Sequence, residues 1–351
     1  MPPFKFAQVV SVKENAQDIK RAGILKSLPQ SWTRFIDQYL PFEKKRKVVF
    51  SADYEIEGYL ITMALSQEEI SGLQNGVLNH KLQKCNKLAT KSKLQLIGTG
   101  EGLAVATRDG LDFAKAMNGV AVTTGRSYRL AALLQAVEKE LGERGKAVGE
   151  VECLVWGAST STGSAVVHAL AREGFRFFTL VSSSVKRLDS LCSNIFRNYG
   201  ISVKKTTHLS KSIKKADIFF IATYEDFKSV DVNFNINDIS MEQDTLVVRC
   251  NPLQQNKQNI LGRQPGITPI DAPLIKAPSH LKASYPYDYP AGIIRAEDAE
   301  TIILALEKMK TNYSLGERIR VEKIEEMSKM AFKHGFKLAG YVSGKEIKLW
   351  R

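Results

Sequence analysis

The run WGASTSTGSAVVHALAREG (156–174) sets one glycine directly after a short apolar segment and another at the head of an apolar-periodic stretch. A diphosphate group needs that pattern. A tight turn brings backbone N–H groups up to the phosphates, and the following helix N-terminus adds partial positive charge. Gly157 is expected to make the turn and Gly163 to let helix and strand approach closely. Thr160 stands where the usual middle glycine would be, and its hydroxyl could donate to the pyrophosphate. The candidate binding turn is Gly157, Ala158, Ser159, Thr160, Ser161, Thr162 and Gly163; the competing reading is a hydroxyl-rich turn that only caps a helix.

A second apolar run, FRFFTLV (175–181), continues as VSSSVKRLDS. An NAD site usually carries Asp or Glu there for the ribose 2′-hydroxyl. Here Ser183 is followed by Lys186 and Arg187, which suit a 2′-phosphate, so the cofactor predicted is NADP(H). Ala222 and Thr223, closing the run DIFFIAT (217–223), belong to the same expected site.

For the reacting centre, Thr124 and Arg126 are candidate substrate contacts, Arg126 holding an anionic group, and Tyr128 is a candidate proton donor. The loop from His280 to Tyr289 offers His280, Lys282, Tyr285, Tyr287, Asp288 and Tyr289 for the same role. His168 and His334 read as structural helix positions, and Glu297 and Glu300 as capping or exposed charges. Cys85, Cys153, Cys192 and Cys250 form no CxxC pair and no zinc spacing, so no metal is predicted. Cys250 closes a strand-like run, TLVVRC, at the end where sites on open α/β sheets lie, and is a candidate nucleophile or a packing thiol.

Several of these stretches resemble the long-chain acyl-[acyl-carrier-protein] reductases, the fatty-aldehyde-forming enzymes known from cyanobacteria. FKFAQVVSVKENAQDIKR (4–21) is similar to that family's opening strand and helix, and GVAVTTGRSYRLAALLQAVEKEL (119–141) to its Thr-Thr-Gly segment and linker helix. GASTSTGSAV (157–166) is similar to its phosphate turn, and 299–336 to its C-terminal helical region. The resemblance implies NADPH reduction of a fatty acyl thioester to an aldehyde through a cysteine-bound acyl group. That cysteine would fall in APLIKAPSHLKAS (272–284), near Pro278, where this chain has none. CNPLQQN (250–256) also departs from the family's GGYPKN-like segment.

The elements that must position these groups are expected as follows. The fold class is α/β: a doubly wound parallel-sheet, dinucleotide-binding (Rossmann-type) domain, an N-terminal α/β substrate domain and C-terminal helices. The expected divisions are an N-terminal domain over 1–125, a linker helix over 126–148 with Leu130, Leu133, Leu134, Val137 and Leu141 on one face, and the NADP domain over 149–275. An active-site loop and C-terminal helices over 276–351 are expected to pack back on the first domain. Helices are predicted over 68–91, 109–117, 164–173, 185–198, 296–312 and 317–335. Strands are predicted within 48–65, at LQLIGTG and GLAVATR (94–108), and over 151–156, 175–181, 201–206, 217–223 and 245–250. Residues 251–292 read mainly as loop.

At 351 residues with 44% apolar and 25% charged residues, the chain is long enough for two packed domains. The opening MPPFKFAQVV lacks a secretory h-region, and no stretch of about 18 apolar residues occurs. A cytoplasmic protein with reduced thiols is therefore expected. The net charge of +13 is spread over 43–50, 80–95 and 203–216 without a nucleic-acid module, which argues against nucleic acid and leaves an acidic carrier protein as a partner of suitable charge. Three functions are open at this point. The first is an NADP(H)-dependent oxidoreductase acting on a carbonyl, imine or acyl thioester without an acyl-cysteine. The second is an acyl thioester reductase working by direct hydride attack or through Cys250. The third is an inactive NADP-binding sensor or scaffold.

Overall fold

The computed structural model describes residues 2–11, 43–51, 55–63, 65, 69–70, 72–209, 212–223, 244–251, 266–283, 285, 288–316, 319–344 and 346–350. The chain divides into two compact units, one of residues 1–125 and 277–316, the other of 126–276 and 317–351.

In chain order the first unit opens with β1 (Phe4–Ser11), β2 (Glu43–Ser51) and β3 (Ile56–Met63). These are followed by α1 (Asn75–Lys91), β4 (Leu96–Gly98), α2 (Glu101–Ala106), α3 (Leu111–Ala116) and β5 (Ala121–Thr123). The second unit begins with α4 (Arg126–Glu143), β6 (Glu152–Trp156), α5 (Ser161–Arg172), β7 (Phe177–Val181) and α6 (Val185–Tyr199). It continues through β8 (Lys204–Thr206), a 3-10 turn at Ile213–Lys215, β9 (Ile218–Ile221), β10 (Thr245–Arg249), β11 (Ile267–Ile270) and β12 (Ala272–Lys276). The chain returns to the first unit for β13 (Lys282–Ala283), β14 (Ile293–Arg295) and α7 (Ala296–Leu306). It ends in the second with α8 (Val321–Lys333), β15 (Lys337–Ser343) and β16 (Glu346–Leu349).

The second unit holds a six-stranded sheet in the order β11-β10-β9-β6-β7-β8, with every pairing parallel. Counted from β6, this is the doubly wound order of a dinucleotide-binding fold. Its central strands are continuous apolar runs because both faces are covered. All four residues of β9 and all five of β10 are buried, and Trp156 joins Leu154, Phe219 and Val247 in one core. Helix α6 shows the amphipathic alternative: only Leu188, Leu191 and Ile195 are buried, and Gly200, with φ of +68°, closes it in the left-handed conformation. In the same unit β12, β15 and β16 pair antiparallel, and α8 packs against α4.

In the first unit the sheet order is β13-β2-β3-β1-β4-β5, parallel from β3 through β5 and antiparallel at β2 and β13. One face is closed by a core in which Val9, Ile61, Ile97 and Val122 meet Leu82 and Cys85 of α1 and Phe113 of α3.

Several elements differ from the sequence reading. GLAVATR forms helix α2 rather than a strand. ITPI and APLIK, read as loop, form β11 and β12; the proline-bearing β11 takes the sheet edge, where a missing N–H breaks no ladder bond. The last helix stops at Lys333, and KLAGYVS and EIKL form a hairpin that was not anticipated. Residues 126–143, expected as a linker helix, fall in the second unit, as do 317–351, while 277–316 fall in the first. The cause is visible in the contacts: Tyr341 Oη donates to Glu140 Oε1 at 2.9 Å, and Gln135 Nε2 donates to Ser328 Oγ at 3.0 Å.

Candidate functional site

Strand order reverses between β6 and β9, so the connections leaving those neighbours diverge and open a crevice at their carboxyl ends. Gly157–Gly163 follows β6, and Ala222 and Thr223 follow β9. The two segments are joined directly: Ala222 N donates to Trp156 O at 2.9 Å, and a Cβ on Gly157 would come within 2.6 Å of Thr223 Cβ. Gly157 has φ of +79°, the conformation in which glycine is favoured, and its N–H bonds Val181 O at 2.9 Å. Gly163 lies so close to the turn that a Cβ would meet Gly157 O and come within 2.8 Å of Ala158 Cα. Both glycines therefore serve the roles that the spacing predicts.

The hydroxyls of the turn are committed to the protein. Thr160 is the N-cap of α5: its Oγ1 accepts from Gly163 N at 3.0 Å and donates to Ala222 O at 2.8 Å. Such a cap is worth about 1 kcal/mol. It leaves the Thr160 hydroxyl no proton for a phosphate, which corrects the expectation that it would donate one. Ser159 Oγ bonds Ser182 Oγ, and Ser161 Oγ accepts from Ile319 N at 2.6 Å. Thr162 Oγ1 accepts from Arg126 Nη2 at 2.8 Å, which sets Arg126 beside the Gly157–Gly163 turn. What the turn offers an anion is backbone: the N–H groups of Ser161 and Thr162 open α5, where no intrahelical acceptor exists.

At the end of β7, Ser182 is buried and held by Ser159 and by Ser184 N at 3.2 Å. Ser183, Lys186 and Arg187 are exposed. Asp189, the first carboxylate after the strand, is one turn into α6 and ion-paired with Lys205.

The candidates for the reacting centre fare differently. Cys250 is buried, and burial pushes its thiol up to about 12; Arg129, whose Nε donates to Cys250 O at 3.1 Å, offsets this only in part. A thiol held neutral and away from solvent is a packing group, not a nucleophile. Tyr128 is 2% exposed, and burial raises its phenol above the usual range. Thr124 is buried in the first unit and donates to Ser314 O. His280 and Lys282 are exposed, Asp288 is exposed, Tyr289 is half-buried, and Tyr287 lies outside the described residues. Pro278 is half-buried. Tyr285 places its hydroxyl inside the first unit, where burial and the nearby Asp298 raise its pKa and Arg295 opposes them. Arg295 Nε bonds Asp298 Oδ2 at 3.1 Å.

Sequence reasoning missed two buried polar clusters. In the first unit, Glu297 and Glu300 are not exposed charges; they are 4% and 0% accessible. Glu300 Oε1 accepts from Thr123 Oγ1, and from Ser314 Oγ at 2.8 Å. Thr301 Oγ1 donates to Gln8 Oε1 at 2.8 Å, and Gln8 Nε2 donates to Thr99 O at 3.1 Å. This cluster gathers at the carboxyl ends of β4 and β5. The signal was present in AEDAETIILAL: its apolar residues surround the helix on every side, so the acidic ones have no solvent face to occupy. In the second unit, Arg129 donates to the carbonyls of Cys250, Arg249 and Asp271, while Arg249 is ion-paired with Asp271, each 1% exposed. No sequence spacing marks those partners, which are up to 142 residues apart.

Among the described residues no group of three metal-ligating side chains occurs, and no helix is long and apolar enough to cross a membrane. No family model matches the chain. It is 24% identical over 311 residues to Aminotransferase PigE from Serratia sp. (strain ATCC 39006), a match covering 87% of this chain and 35% of that protein. The chain thus spans about a third of the length of the curated relative it matches. Among solved structures, L-tryptophan dehydrogenase from Nostoc punctiforme aligns at 12% identity and TM-score 0.38, covering 95% of this chain and 80% of that one. Shikimate 5-dehydrogenase from Listeria monocytogenes, solved with shikimate and NAD, aligns at 11% identity and TM-score 0.33, covering 76% and 86%. At these scores the fold assignment rests on the strand order of the chain itself: a mixed α/β protein with parallel sheets, the second of Rossmann type.

Proposed function

We propose that this protein is an NADP(H)-dependent oxidoreductase that transfers hydride to a carbonyl, imine or acyl thioester without forming an acyl-cysteine. The observation that carries the reading is the Gly157–Gly163 turn at the reversal of the parallel sheet, with Lys186 and Arg187 exposed after the neighbouring strand. The two glycines fit a dinucleotide: one holds a left-handed turn, the other sits where a Cβ would fill the space between helix and turn. When bound, the nicotinamide supplies the hydride. The backbone N–H groups of Ser161 and Thr162 receive the diphosphate, and Arg126, fixed on Thr162, adds positive charge beside it. Ser183, Lys186 and Arg187 take the 2′-phosphate. Lys186→Ala and Arg187→Ala are each expected to weaken NADPH binding roughly ten-fold, one charge-assisted bond each, and to leave NADH binding unchanged; equal losses for both nucleotides in titrations would refute this assignment.

The first unit is proposed as the substrate domain. Tyr285, whose hydroxyl lies near the Arg295–Asp298 pair, is the proton donor proposed there. The resemblance to acyl-carrier-protein reductases supports an acyl or aldehyde substrate, and the exposed Lys214 and Lys215 suit an acidic carrier. The experiment is NADPH oxidation against panels of acyl thioesters, aldehydes, ketones and imines, with Cys250→Ala alongside the unaltered chain. Turnover with at least one class, retained within about two-fold in Cys250→Ala, is expected for a buried thiol. Saturable NADPH binding without turnover of any class would favour the sensor or scaffold reading.

A further inference from the structure

The sheets of this protein end in edges of two kinds. An open edge offers a row of unpaired N–H and C=O groups to any other strand, and proteins blunt it with short strands, lysines or proline. In the second unit's parallel sheet, outer strand β8 has three residues and carries Lys204 and Lys205, while outer strand β11 carries Pro269. In the first unit the outer strands β5 and β13 have three and two residues. The hairpin strand β16, four residues long, has no proline, and its one lysine, Lys348, is tied to Glu140 and Glu143.

The direction of its backbone follows from the ladder. Trp350 N donates to Ala339 O at 2.9 Å, and β15 and β16 pair without a register shift, Tyr341 opposite Lys348 and Ser343 opposite Glu346. With a period of two, the N–H groups of Glu346 and Lys348 face β15, and those of Ile347 and Leu349 face outward. No strand among the described residues pairs with that outer edge. Ile347 and Leu349 also expose their side chains, at 40% and 39%. Lys348 points to the opposite face, where Nζ meets Glu143 Oε2 at 3.1 Å and also bonds Glu140.

We propose that two copies of this chain associate edge to edge through β16, antiparallel about a two-fold axis at Ile347. The sequence of the strand, Glu-Ile-Lys-Leu, is complementary to itself in that register. Ile347 meets Ile347 of the partner subunit, and their outward N–H and C=O groups exchange both bonds of a hydrogen-bonded pair. Glu346 then stands opposite Lys348 of the partner subunit, twice by symmetry, and unlike charges directly opposite stabilise a strand pair. Leu349 lies diagonal to Ile347 of the partner subunit, so four apolar side chains form one strip across the junction.

Sedimentation equilibrium on the full chain tests this over concentrations up to roughly 100 µM, the range in which a small interface associates. The expected mass is twice that of the 39.1 kDa chain at the upper end. Ile347→Pro removes an outward N–H while leaving every β15–β16 bond in place, and is expected to sediment as a single chain throughout. Glu346→Lys, at an exposed side chain, places like charges opposite each other and is expected to weaken association about ten-fold without a backbone change. A single-chain mass for the unaltered protein at every concentration overturns the proposal. So does a dimer that persists unchanged in Ile347→Pro, or a dissociation constant unmoved by Glu346→Lys.

Discussion

Gly163→Ala is expected to lose most of the NADPH affinity while leaving the first unit intact. The added methyl carbon would meet Gly157 O and come within 2.8 Å of Ala158 Cα, and both neighbours are backbone, which cannot rotate away as a side chain can. Relief requires α5 to move outward from the turn. That movement stretches the Thr160 cap, since Gly163 N is the group that Thr160 Oγ1 caps at 3.0 Å. It also shifts the N–H groups of Ser161 and Thr162 on which the diphosphate is proposed to rest. One misplaced charge-assisted hydrogen bond costs about 1.5–3 kcal/mol, or roughly ten- to hundred-fold in Kd. Overpacking adds about 1–3 kcal/mol to the loss of stability. Calorimetric titration with NADPH, beside hydrogen exchange of the β1 and β4 amides as a reading of the first unit, checks both parts. Affinity equal to that of the unaltered chain would show that the diphosphate does not rest on this turn.

Asp271→Ala is expected to be the most destabilising single change in the second unit. Asp271 and Arg249 are each 1% exposed and paired, and the second carboxylate oxygen accepts from Gly344 N at 2.8 Å. Removing the carboxylate takes the ion-pair partner from a guanidinium that is itself 1% exposed, with the Arg129 guanidinium bonded to the neighbouring carbonyls. Breaking a buried pair from one side costs about 3–5 kcal/mol. The loss also frees the β15–β16 turn from the end of β11. Urea unfolding followed through the exchange of β6 and β10 amides should show the midpoint falling, while β1 and β4 of the first unit keep theirs. A shift under about 1 kcal/mol would mean that Arg249 finds water on relaxation, and that the pair contributes little.

The parallel-sheet unit of this protein is legible in the sequence because strand, turn and helix each leave a local mark. ECLVW is a buried run, Gly157 has to take a positive φ, and Gly163 has to lack a Cβ. All three needs are met within twelve residues. That the turn caps a helix was one of its two sequence readings, and Thr160 does so; its second bond was not legible, because Ala222 is 62 residues away and only the finished sheet brings them together. The same holds for the Arg129–Arg249–Asp271 cluster. Short apolar runs were misread where no period distinguishes helix from strand, as in GLAVATR, which becomes α2. Prolines led to ITPI and APLIK being read as loop, although ITPI takes an edge, where proline is tolerated, and APLIK forms an inner strand with its proline near the strand start. The acidic start of α7 was misread because charge was taken to mean exposure, whereas Glu300 is held by Thr123 and Ser314 inside the first unit. The reacting centre was least legible of all: its candidates were chosen by residue type, and residue type does not show that Cys250, Tyr128 and the Tyr285 hydroxyl are all buried.

Titrating the intact chain with NADPH and NADH while following nucleotide fluorescence tests most directly the proposed binding of NADP(H) by the second unit. Saturable binding is predicted for both, with NADPH tighter by roughly ten-fold or more from its bonds to Lys186 and Arg187. Binding of neither nucleotide, or a preference for NADH, would contradict it.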